Sequence, residues 1–83
     1  PQAAVTDRSA FTDVVDLPEG GFSIPELKWR ELVFIGALRP ASGGFARDPG
    51  RPMPPFAREG LFPEGVVFDV SRTGGRALVR PRL

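Results

Sequence analysis

Ten carboxylates, ten arginines, Lys28 and four serines (Ser9, Ser23, Ser42, Ser71) are the chief polar groups with which this chain could do chemistry. Cysteine and histidine are both absent. That excludes a thiol nucleophile, an imidazole base to activate serine, and zinc sites built on sulfur or imidazole. A pair of carboxylates could serve hydrolysis. The acids are scattered, however, and Asp13 and Asp16 read as turn residues beside Pro18. A chain of 83 residues also has little wall with which to enclose a pocket. Asp69 with Ser71, or Asp13 with Asp16, could touch Mg²⁺ or Ca²⁺. Neither pair has the density of oxygen ligands of an EF-hand loop. No catalytic residue, metal or cofactor is expected.

Phosphate recognition has more to build on. Asp69-Val70-Ser71-Arg72-Thr73-Gly74 reads D-x-S-x-x-G, and Arg47-Asp48-Pro49-Gly50-Arg51 reads R-x-x-x-R. In this order the two motifs resemble those of PilZ domains, small β-barrels that bind cyclic di-GMP. The resemblance implies that Arg47 and Arg51 clamp phosphate and stack on guanine, with Asp69, Ser71 and Gly74 lining the other side. Guanidinium suits that role because it is planar, bidentate and always charged. The same Asp, Ser and Gly also suit a plain hairpin turn. A second basic feature is Arg76, Arg80 and Arg82. On a strand Arg76, Leu78 and Arg80 share one face and Ala77 and Val79 the other. Such a row fits nucleic acid, an acidic protein surface, or protection of a sheet edge. Trp29 lies between Lys28 and Arg30. It reads as a core or interface anchor rather than a base-stacking platform.

The elements that position these groups are short. Phe11, Val14, Val15 and Leu17 form a brief apolar segment closed by Pro18, at best an edge strand. Ser23-Ile24-Pro25-Glu26 has the pattern of a capping box, with Ser23 as N-cap. A helical turn or two would follow. Leu32-Val33-Phe34-Ile35, meeting Gly36, reads as a buried strand over about residues 31–39. A helix over 24–35 is the rival reading. Residues 40–65 contain six prolines and five glycines, yet also Phe45, Met53, Phe56, Leu61 and Phe62. That composition predicts an extended, polyproline-like segment lying on a surface, preferentially that of a neighbouring chain. Val66–Val70 and Ala77–Val79 flank Arg72-Thr73-Gly74-Gly75 and predict a hairpin. Phenylalanines recur at 11, 22, 34, 45, 56 and 68, but their flanks are not self-similar, so no repeat is inferred.

Composition bounds the whole. The chain is 9.0 kDa, and a chain of that size buries only about 63% of its unfolded surface. With no disulfide available, a partner is the expected source of further stability. The net charge is +1, which argues against nucleic acid as the principal partner. No apolar run is long enough to cross a bilayer, and secretion by a signal peptide is not expected. The expected fold is mostly β: a small antiparallel sheet or hairpin with long Pro/Gly-rich irregular arms and at most one short helix. Residues 1–22 are expected as an N-terminal arm, and 23–83 as one small β domain. In size and texture the chain is similar to the decoration or cement proteins of phage capsids. That likeness implies a non-enzymatic subunit that bridges neighbours in a large assembly, as a homo-oligomer, in a virion or the cytoplasm. Phe11, Trp29, Phe45, Phe56 and Phe62 are the expected interface anchors.

Overall fold

The computed structural model describes residues 14–57 and 60–82. Phe11 and Asp13 lie outside them. The described chain is mostly β, with one short helix. Its elements are β1 (Val15–Asp16), β2 (Phe22–Pro25), α1 (Glu26–Phe34), β3 (Leu38–Ala41), β4 (Gly44–Arg47), β5 (Val67–Thr73) and β6 (Arg76–Pro81). All strand pairs are antiparallel, in one sheet ordered β1-β2-β6-β5-β4-β3.

The β5–β6 hairpin is the longest pairing and forms around Gly74-Gly75, as the sequence predicts. Both glycines have positive φ, 59° and 76°, the geometry of a type I′ turn. Its register sets Val70 opposite Val79 and Arg72 opposite Ala77. Ala77 and Val79 face the core, and Arg76, Leu78 and Arg80 face away. β6 lies between β2 and β5, so its arginines sit on a central strand and not on a sheet edge.

Leu32–Phe34 is the last turn of α1 and Ile35 its C-cap, which corrects the strand expected over 31–39. The helix ends in a Schellman motif. Gly36 N–H donates to Val33 O (3.1 Å) and Ala37 N–H to Leu32 O (3.0 Å). Gly36 takes φ +81°, which a residue with a Cβ adopts only under strain. β3 then begins at Leu38. The capping box does not form either. Ser23 belongs to β2, Pro25 is the N-cap, and no side chain caps the helix. The Glu26 N–H instead donates to Gly75 O at 2.8 Å, so the β5–β6 turn holds the start of α1.

The 40–65 segment is more regular than its composition suggests. Ser42-Gly43 forms a second tight turn with positive φ at both residues, and it joins β3 to β4. The large apolar residues described in the remainder, Met53, Phe56, Leu61 and Phe62, pack on the chain's own core. Phe62 inserts between Phe22 and Phe68, with ring centroids at 5.1 and 5.3 Å and near-perpendicular planes. Ala57 and Leu61 are buried beside it, and Met53 and Phe56 pack on the rim. One face of the sheet is thus covered by α1, through Trp29 and Leu32, and by this loop.

Phe62→Ala should cost about 3–5 kcal/mol of stability, the usual range for a buried phenylalanine. Phe56→Ala, at the half-buried rim, should cost less than half as much. Urea unfolding followed by Trp29 fluorescence measures both. A loss under about 1 kcal/mol for Phe62→Ala would place the loop outside the core.

Candidate functional site

The helix is apolar on two opposite sides. At 100° per residue Trp29 and Leu32 point into the sheet, while Leu27, Arg30, Glu31 and Phe34 form the outer stripe. Phe34 is 89% exposed and Leu27 76%. Lone exposed apolar residues are ordinary, but two large ones at i and i+7 on one helix make a patch. Beside Phe34 opens a cleft of 370 Å³ lined by Trp29, Arg30, Val33, Phe34, Phe45 and Arg72. Trp29 and Phe45 form its floor, edge to face at 4.9 Å. Arg30 and Arg72 flank it, and both reach the same carboxylate: Arg30 Nε lies 3.0 Å and Arg72 Nη2 3.4 Å from Glu26 Oε2. Two guanidiniums therefore share one acid. Glu31 makes no ion pair among the described residues.

The expected anchors divide by burial. Trp29 and Phe62 are 1% exposed and belong to the chain's own core. Phe45 and Phe56 are half-buried against that core. The outer apolar residues that carry most exposed surface are Leu27 and Phe34, which are not among the expected anchors. Their helical spacing is the available signal, and it is hidden where Leu32–Ile35 reads as a strand.

The five residues of the phosphate-binding resemblance do not converge. Phe45 pairs with Phe68 on the core face, so Arg47, two residues on, shares that face. Asp69 and Ser71 follow Phe68 on the opposite face. Arg51 Nη1 donates to Ile35 O at 3.2 Å, where its charge faces the carbonyl end of α1. Gly74 is five residues past Asp69, about 16 Å along the hairpin.

The outer face of β5 and β6 carries the second surface feature, a shallow depression of 470 Å³ lined by Asp69, Val70, Ser71, Arg80, Pro81 and Arg82. Much of its charge is already paired. Arg82 Nε donates to Asp69 Oδ1 (3.1 Å) and Nη1 to Ser42 O (2.7 Å), tying the residue after β6 to β5 and to the β3–β4 turn. Arg76 donates through Nε to Ser23 Oγ (2.6 Å), which satisfies the buried serine. Among the described residues no group of three acids could hold a metal ion.

Hydrogen bonding from Arg82 holds the Asp69 carboxyl below its ordinary pKa of 3.8. The pair therefore stabilises the fold above that pH, and the contribution fades as pH falls through the lowered native value. Carbon-detected NMR titration should find Asp69 below 3.8, and Arg82→Ala should return it toward that value. An Asp69 midpoint unmoved by Arg82→Ala would refute the pairing.

Compared with known proteins, the chain matches no family model, no curated protein and no solved structure.

Proposed function

We propose that this chain is a non-enzymatic structural subunit that bridges or clamps neighbouring subunits of a larger assembly, and that it does so through the outer stripe of α1. The decoration or cement subunit of a virion is the finer form of the same reading. The observation that carries it is the pair Leu27 and Phe34, largely exposed on a helix whose other side is already full. Exposing two such side chains opposes solubility unless a partner covers them. Supporting this, Glu26, at the start of α1, and Asp69, on the β5 face, are engaged in structural contacts: Glu26 braces Arg30 and Arg72, and Asp69 holds Arg82.

Light scattering across a concentration series tests the reading. The wild-type chain should rise above 9.0 kDa as concentration increases. Phe34→Asp should hold the mass near 9.0 kDa at concentrations where the wild type associates, with its melting temperature changed by only a few degrees, since no core contact is lost. A wild type that remains at 9.0 kDa into the millimolar range overturns the reading. Association indifferent to Phe34→Asp removes α1 as its surface.

A further inference from the structure

The outer stripe of α1 has a symmetry that selects its occupant. Seen down the helix, Leu27 and Phe34 lie about 20° apart and define a seam. Arg30 and Glu31 lie about 50° to either side of that seam. Seam residues are apolar, one flank is basic and the other acidic. A surface of this kind is complementary to itself.

The two ways of pairing it with a copy differ in charge. With the helices antiparallel, the two-fold axis runs across the helices and returns each flank to its own kind. Arg30 then meets Arg30 of the second copy and Glu31 meets Glu31. With the helices parallel, the two-fold axis runs along them and exchanges the flanks. Arg30 of each copy then faces Glu31 of the other, twice, while Leu27 meets Leu27 and Phe34 meets Phe34 along the seam. Like charges at such range destabilise about as much as opposite charges stabilise. The parallel arrangement is therefore selected.

A second observation agrees. The cleft beside Phe34 lies on the Arg30 flank and holds two guanidiniums, Arg30 and Arg72, against the single carboxylate of Glu26. Glu31 is the acid without a partner among the described residues on the same helix. In the parallel pair it enters this flank from the second copy and balances the charge.

We propose that α1 forms the interface of a two-fold homodimer with parallel helices, sealed by Leu27 and Phe34 and keyed by reciprocal Arg30–Glu31 contacts. This rests on the reading of the α1 stripe as the chain's docking surface and names its occupant. The helix has nine residues, so the paired area falls below the roughly 1,200 Å² of stable interfaces. The dimer should therefore dissociate on dilution.

Charge reversal measured by sedimentation equilibrium tests the pairing. Arg30→Glu alone and Glu31→Arg alone each place like charges opposite one another, and each should weaken the dimer about ten-fold. The double variant Arg30→Glu/Glu31→Arg restores both contacts and should recover the wild-type constant to within about three-fold. An equimolar mixture of the two single variants should also associate, which shows that each has folded. Single variants that dimerise as well as the wild type, or a double variant as weak as the singles, would overturn the inference. If Phe34→Asp still abolishes association in that case, α1 remains the docking surface and only this pairing falls. A wild type that never exceeds 9.0 kDa removes both.

Discussion

One face of a six-stranded sheet must be kept from water by a short chain with no cysteine. The insertion of Phe62 between Phe22 and Phe68 is what closes it. α1 reaches β2, β3 and β6. On the β5 side the cover comes from a loop with no regular structure of its own. The prolines of that loop cannot extend a helix or a central strand, but they lower the entropy lost on ordering it. An aromatic ring held edge-on by two others then fixes where the loop lies. Helix position follows from the same economy. Ala77 is fully buried in the central strand β6, and its small side chain leaves room for α1 to approach the sheet.

The parts of this fold that are legible in the sequence are those set by local backbone chemistry. Gly74-Gly75 between alternating residues predicts the β5–β6 hairpin, because few other pairs supply two positive φ values. Pro18 ends β1 before it can lengthen. The misreadings come where one residue type serves two local structures. Leu32-Val33-Phe34-Ile35 has the composition of a strand, yet its members diverge: Leu32 is fully buried and Phe34 almost fully exposed. Gly36 is the deciding residue. Its N–H closes the helix on the carbonyl of Val33 and lets the Ala37 N–H reach that of Leu32, which a strand ending would not do. Ser23 shows a similar ambiguity. Its spacing to Glu26 fits a capping box, but its backbone is already committed to β6.

For the candidate surface, the limit was tertiary. Five large apolar residues in a proline-rich stretch say that the stretch lies against something, and not what. Phe62 turned inward, and Phe45 partnered Trp29 at the floor of a cleft. The residues left outside were on the helix, where their i, i+7 spacing becomes meaningful only once the helix itself is recognised.

The remaining surfaces explain why the proposed contact is assigned to α1. Sheet growth at the β3 edge is obstructed. The two-residue turn at Ser42-Gly43 makes Ala41 and Gly44 the hydrogen-bonded pair, so Pro40 and Phe45 form the next, non-hydrogen-bonded pair. The Pro40 nitrogen then faces the free edge, where an added strand would need a donor that proline lacks. At the other edge β1 pairs over only two residues, Val15 and Asp16, too few for firm strand addition. On the outer face of the sheet, Asp69 offsets the charge of Arg82, and Arg76 is held by a hydrogen bond to Ser23. Protection at both edges and internal pairing on the open face leave the α1 stripe as a large apolar feature with no cover among the described residues. Its flanking charges have opposite signs, and for such a stripe a second copy is a complementary partner at no cost in specificity.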